Sequence, residues 1–291
     1  MCKKELARRW FLKGCRYDST GSERDKAIDA YRRSLKYDDE LTDAYVNLGF
    51  IYLAGTDYEK AAKCFQDVVG LEPKNPEAFN NLGYVYEEMK RLGCARQAYR
   101  QASGLDPKNV ETLLNLAKVY ELEGNYHDAV KQYKRAIKQD ADIIAPRFCL
   151  AVLYDNYDMF DEAMEEYQGV LDRDPDHIKG LLNMGNLYVQ LGNNERAIDL
   201  FKRVIALDPD NADACNQLGS VHKSDGNYAE ASASYKRVLS LDPFKEDAHM
   251  ELAEAQYLQY RSKFNGVKKE EVRQRIDYLL AINPDNGKGK Q

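Results

Sequence analysis

The stretch DAYVNLGFIY, residues 43–52, decides how this chain is read. Its Tyr, Leu, Phe and Ile recur at three- and four-residue spacing, which predicts a helix with an apolar face. Asn47 does not fit that helix. Asparagine is up to ~0.7 kcal/mol worse than alanine in a helix interior, because its amide competes for backbone hydrogen bonds. Yet the pattern returns. EAFNNLGYVY carries Asn81, ETLLNLAKVY carries Asn115, and KGLLNMGNLY carries Asn183.

A recurring misfit points to a repeat. Gly49, Gly83, Ala117, Ala151, Gly185, Gly219 and Ala253 follow one another at intervals of 34 residues. Twelve residues after each of the first six lies another alanine, from Ala61 to Ala231, and four further on an aromatic, from Phe65 to Tyr235. Proline closes most units, at Pro73, Pro107, Pro175, Pro209 and Pro243, with Ala141 as the exception. Each unit reads as helix A, a turn, helix B and a stop. In EGNYHDA, LGNNERA and DGNYAEA, the residues Gly124, Gly192 and Gly226 suit the left-handed conformation that ends a helix. Asp-Pro then ends helix B, because the residue before proline is pushed towards extended backbone. Small residues on both helices let them approach closely. One helical hairpin cannot bury both faces alone, so neighbours must stack into a solenoid.

This set of spacings resembles the tetratricopeptide repeat over nearly the whole chain. The resemblance implies an all-α, right-handed superhelical solenoid of about eight helix-turn-helix units with a C-terminal capping helix. The units fall at about 6–41, 42–75, 76–109, 110–143, 144–177, 178–211, 212–245 and 246–284, within a single domain spanning 1–284. The first unit, with Trp10, Gly14, Tyr17, Ala27 and Tyr31, has one extra turn residue and no terminal proline. The fifth carries Arg147 where an aromatic is usual and Cys149 where the asparagine belongs. The last runs through an enlarged loop, LQYRSKFNGVKKEE, into VRQRIDYLLAINPD, read as the cap over the open end. The tail, 285–291, is expected to be disordered.

Composition narrows the function. Of 42 Lys/Arg and 48 Asp/Glu, residues 1–41 hold 11 and 8 (+3) and residues 246–291 hold 8 and 8 (0), leaving 23 and 32 (−9) for the middle. An acidic body argues against nucleic acid as the partner and fits basic or apolar peptides. No stretch is apolar and long enough to span a membrane, and MCKKELARRWFLKGC lacks the apolar run of a signal peptide. Six scattered cysteines without a CxxC pair read as reduced thiols, hence a cytoplasmic location. The four histidines, His127, His177, His222 and His249, lie apart, and no phosphate-binding glycine motif occurs. No catalytic residue, metal site or cofactor is expected. Adjacent carboxylates such as Glu87 and Glu88, and basic pairs such as Lys202-Arg203, read by default as solvated or dipole-complementing positions.

The binding residues come from the resemblance. Helix A lines the concave wall in tetratricopeptide proteins. Its sixth positions are Asn47, Asn81, Asn115, Cys149, Asn183 and Gln217 here. The flanking fifth and ninth positions include Phe50, Tyr84, Leu114, Lys118, Phe148 and Asn186. An amide donates and accepts, so a row of them suits a peptide backbone, as in the asparagine ladder of O-linked N-acetylglucosamine transferase. The resemblance therefore implies a non-enzymatic scaffold holding an extended or helical segment of a protein or peptide partner, apolar with some basic residues. The carboxylate clamp that grips acidic chaperone tails is incomplete. Leu182 stands where a lysine is needed, and Asp247 and Glu251 stand where cations belong. Two further readings are the substrate-recognition arm of a multi-subunit or truncated enzyme and a self-assembling coat. In the coat, the basic, Trp-bearing N-terminal helix of one copy fills a neighbour's groove.

Overall fold

The computed structural model describes residues 2–21, 23–263, 274, 277 and 278. These residues are almost wholly helical and contain no strand. The expected capping helix, the enlarged loop before it and the tail at 285–291 lie outside the described residues, three isolated positions apart. The chain divides into two compact units, residues 1–146 and 147–291. The division falls next to Ala141, where the repeat lacks its closing proline.

The first unit contains α1 (Lys3–Asp18), α2 (Arg24–Tyr37), α3 (Thr42–Ala54), α4 (Tyr58–Leu71), α5 (Pro76–Glu88), α6 (Leu92–Leu105), α7 (Val110–Leu122) and α8 (Tyr126–Gln139). These pack as the hairpins α1/α2, α3/α4, α5/α6 and α7/α8, each helix B also lying against the next helix A. The second unit holds most of α9 (Ile144–Asn156) and all of α10 (Phe160–Leu171), α11 (Ile178–Gln190), α12 (Asn194–Leu207), α13 (Ala212–Ser224), α14 (Tyr228–Leu241) and α15 (Glu246–Lys263). The architecture is an all-α repeat solenoid.

The spacing of small and aromatic residues has a direct steric cause. The helix B aromatic packs directly against the helix A glycine sixteen residues earlier. A Cβ built on Gly49 would stand 2.7 Å from Phe65, one on Gly83 2.7 Å from Tyr99, one on Gly185 2.6 Å from Phe201, and one on Gly219 2.8 Å from Tyr235. Gly14 meets Tyr31 in the same way across its longer turn. The alanines of helix B, from Ala27 to Ala231, have no exposed surface. Burying each aromatic contributes ~1.5–3 kcal/mol, and at these four units the ring occupies the space a Cβ would need, while Tyr133 and Tyr167 are as fully buried in the units that carry Ala117 and Ala151.

The turns follow one template. Gly124, Gly192 and Gly226 have φ of 72°, 74° and 78°, as the sequence predicts. The same turn position in three other units is occupied by Thr56, Lys90 and Asp158, at φ of 58°, 59° and 56°. Those side chains adopt the left-handed conformation at a cost of ~1–2 kcal/mol each. The backbone template therefore prevails over local preference. Asp106, Asp208 and Asp242 turn to extended backbone before their prolines and end α6, α12 and α14. By contrast, α10 stops at Leu171, ahead of Asp174.

The unusual Arg147 is paired. Its guanidinium lies 2.6 Å from Glu166, and both side chains are largely shielded from water. Its aliphatic stem packs on Gly169, where a Cβ would come within 2.9 Å. A long cation thus replaces the usual aromatic by finding an anion on α10. The arginines of two helix B basic pairs are likewise engaged, since Arg203 and Arg237 donate to the carbonyls of Pro175 and Pro209.

Candidate functional site

The wall formed by helix A divides into amides that are engaged within the protein and amides that are not. Asn47, on α3, donates to the Tyr31 hydroxyl at 3.1 Å and faces the Cys15 sulfur at 3.9 Å. Asn183, on α11, donates to the Tyr167 hydroxyl at 3.2 Å. Both tyrosines lie sixteen residues earlier and are fully buried, so each asparagine supplies a donor to a hydroxyl shielded from water. Tyr167 in turn reaches Asp155, 3.4 Å away.

Asn81, on α5, follows Phe65, which has no hydroxyl to offer. Gln217, on α13, follows Phe201 in the same way. Asn115, on α7, follows Tyr99, whose hydroxyl donates to Glu87 at 3.0 Å and makes no bond to the Asn115 amide. The half-buried side chains of Asn81, Asn115 and Gln217 therefore meet no hydrogen-bond partner among the described residues.

In the first unit two helix A aromatics are exposed. Phe50 is 46% exposed and rests edge-on against Phe65, ring centres 5.4 Å apart. Tyr84 is 44% exposed. Leu114 and Lys118 are half-buried on α7 beside Asn115. Helices α5 and α7 touch directly. Asn80 bridges them, donating to Glu111 at 3.4 Å and accepting from the Thr112 hydroxyl at 3.2 Å. In the second unit Phe148 packs against Tyr167 and His177, ring centres 6.2 Å and 5.2 Å away, and Asn186 is half-buried.

The carboxylates of the first unit also differ from their default reading. Glu87 accepts from Tyr99, Glu121 from Tyr133 at 2.9 Å, and Glu88 from Tyr58 at 3.4 Å. Burial raises the pKa of Tyr99, and the nearby Glu87 charge adds to the effect. Its phenol thus stays protonated and serves as a donor. The tyrosine-to-carboxylate step of twelve residues, Glu87 to Tyr99 and Glu121 to Tyr133, is visible in the sequence once it is sought.

The described residues contain no group of three or more His, Cys, Asp or Glu side chains placed to hold a metal ion. None of their helices is long and apolar enough to cross a membrane. None of the six cysteines is in a disulfide. The N-terminal α1 is docked on α2, with Phe11 and Tyr31 rings 5.7 Å apart and Gly14 under Tyr31. Its outer side presents Leu12, 57% exposed, among basic residues.

Stacked helical hairpins with a helix A wall of amides and aromatics define an α-helical repeat protein. Family models described as "TPR repeat" match residues 51–90 and 185–226, and models described as "Tetratricopeptide repeat" match residues 88–147 and 212–245. The chain belongs to the tetratricopeptide repeat family. No curated protein matches its sequence. Among solved structures, it resembles a tetratricopeptide repeat protein from Parabacteroides merdae, with a TM-score of 0.62 and 17% identity over 87% of this chain and 99% of that one. It also resembles the MamA protein, with a TM-score of 0.55 and 22% identity over 60% and 95%. YrrB, described as a TPR protein with an unusual peptide-binding site, has a TM-score of 0.53 and 21% identity over 64% and 96%. At these identities the likeness is one of fold.

Proposed function

We propose that this protein is a non-enzymatic protein–protein interaction scaffold that holds an extended or helical segment of a partner along the helix A wall. The observation that carries this reading is the pair Asn81 and Asn115. Their amides are not engaged by other described residues, and the exposed Tyr84 lies one turn from Asn81 on the same face of α5. An unengaged amide can pair with a peptide group in either direction, at ~0.5–1.5 kcal/mol net per contact. The aromatics accept apolar side chains, so the partner segment is apolar with some basic residues. The peptide-binding site described for YrrB supports a groove of this kind. Acidic chaperone tails are not the ligand, since Asn183, one of the few clamp-type residues present, is taken by Tyr167. The free thiols fit a reducing, cytoplasmic setting.

The test is affinity capture from cell extract with wild type, with an Asn81→Ala/Asn115→Ala variant, and with Asn47→Ala as a control for an internally bonded amide. The double variant should lose partners that wild type and the control both retain, at unchanged helicity. Equal recovery by all three proteins would sink the reading. A second reading, self-association through α1, is supported by Leu12 and its basic surroundings. Light scattering before and after a Leu12→Asp change tests it, and a concentration-independent monomer in both cases excludes it.

A further inference from the structure

In the second to seventh repeats, helix A is poor in cations. Helices α3 and α5 contain no lysine or arginine, and α7, α9, α11 and α13 contain one each. Helix α1 contains six, Lys3, Lys4, Arg8, Arg9, Lys13 and Arg16, against Glu5 and Asp18, which leaves it at +4. The whole chain carries −6, so everything outside α1 sums to −10. The α1 cations are also unengaged. Beyond α1, every described arginine except Arg100 and Arg261 makes a hydrogen bond, an ion pair or a ring contact. The side chains of Lys3, Lys4, Arg8, Arg9 and Arg16 make none among the described residues. Lys13 meets rings alone, 4.8 Å over Trp10 and 5.7 Å over Tyr17, and it has no anion.

Residues four apart share a line on a helix. Arg8, Leu12 and Arg16 form one such line on α1, and Arg9 and Lys13 form the next. All five are exposed, and they point away from the face that buries Ala7 and Gly14. Trp10, the single tryptophan of the chain, is half-buried at the margin of this surface. The hollow on this side is lined by α1 alone, from Glu5 to Arg16. A hollow walled by one helix is an open shelf. It has no second wall to enclose a peptide or a small molecule, and it fits a partner that is itself broad and flat. Anionic phospholipid headgroups make such a partner. Each lysine or arginine near them adds to the attraction, and an apolar side chain among the cations enters the interface. The long cationic stems reach the phosphates while Leu12 meets the acyl boundary.

We infer that the outer side of α1 docks this protein on an anionic phospholipid surface, with Arg8, Arg9, Lys13 and Arg16 at the headgroup phosphates and Leu12 in the interface. The attachment is peripheral and independent of the helix A groove. The acidic remainder of the chain is repelled by the same surface, so α1 is the part that faces it.

The experiment is co-sedimentation of the full chain with phosphatidylcholine vesicles, with and without phosphatidylserine, at low and at raised salt. The proteins are wild type, Arg9→Gln/Arg16→Gln, Leu12→Ser and, as a control with the same charge change at exposed positions elsewhere, Arg100→Gln/Lys108→Gln. Circular dichroism confirms equal helicity. Wild type and the control should pellet with the phosphatidylserine vesicles only, and less so as salt rises. The double α1 variant should bind about tenfold or more weakly, and Leu12→Ser about threefold. Wild type that stays in the supernatant with phosphatidylserine vesicles at low salt overturns the inference. So does equal binding by wild type and either α1 variant, or an equal loss in the control. A chain that binds an acidic peptide or self-associates through α1, yet leaves these vesicles unbound, also overturns the lipid assignment.

Discussion

Replacing Asn183 and Asn81 by alanine should move stability in opposite directions. In either helix the alanine gains ~0.5–0.7 kcal/mol of intrinsic preference. At position 81 nothing opposes that gain, because the preceding aromatic is Phe65 and the amide is unengaged. At position 183 the change removes a donor 3.2 Å from the hydroxyl of Tyr167, a side chain with no exposed surface. The hydroxyl then keeps only its longer contact to Asp155, at 3.4 Å. Losing the shorter bond costs ~1–1.5 kcal/mol in such a site. Asn183→Ala should therefore destabilise by roughly 0.5–1 kcal/mol, while Asn81→Ala stabilises by roughly 0.5 kcal/mol. The sign difference separates structural amides from ligand-facing ones. Urea unfolding followed by far-UV circular dichroism measures both. Amide exchange in α11 reports the local value, since repeat arrays open in segments. A double-mutant cycle with Tyr167→Phe isolates the bond, and its coupling should be ~1 kcal/mol. A coupling indistinguishable from zero, or an Asn183→Ala protein as stabilised as Asn81→Ala, would refute the division of the asparagine row.

Three further outcomes follow from the geometry. Thr56, β-branched and at φ 58°, occupies the position that glycine holds in three other units. Thr56→Gly should raise stability by ~1 kcal/mol, read as a shifted urea midpoint at unchanged slope. Gly49→Ala places a Cβ 2.7 Å from Phe65, so it should destabilise by ~1–3 kcal/mol, with Phe65→Leu in the same chain recovering part of the loss. His222, on α13, has a buried Nδ1 without a partner among the described residues, and burial lowers its pKa below 6.5. The unfolded state therefore binds the proton first. The resulting stability is present above pH 6.5 and falls as pH drops through the lower folded value. His222→Gln should flatten the thermal midpoint between neutral and mildly acidic pH relative to wild type.

Much of the molecule is legible before any coordinates are seen. A spacing of 34, with a small residue and an aromatic sixteen residues apart, specifies a hairpin whose ring seats on glycine or alanine of helix A. The structure shows that contact at Gly49, Gly83, Gly185 and Gly219. Gly124, Gly192 and Gly226 announce their left-handed turns. Thr56, Lys90 and Asp158 announce nothing, because local preference there opposes the conformation that the packed hairpin imposes. The carboxylates Glu87 and Glu88 read as ordinary surface charge, since the tyrosines that hold them lie on helix B.

The sequence by itself determined that this is a tetratricopeptide solenoid and that its asparagines fall in register on helix A. Periodic sterics are local and repeat with the chain, so they can be counted. Which asparagines are free was decided only by tertiary structure. Tyr99 and Tyr167 are the same residue at the same position of the repeat, and each precedes an asparagine by sixteen residues. Yet Tyr99 donates to Glu87 and makes no bond to Asn115, while Tyr167 donates to Asp155 and also accepts from Asn183. A buried hydroxyl can donate and accept at once, so the tyrosine alone does not decide whether the asparagine is engaged. That depends on whether the amide comes within hydrogen-bonding distance, which no spacing encodes.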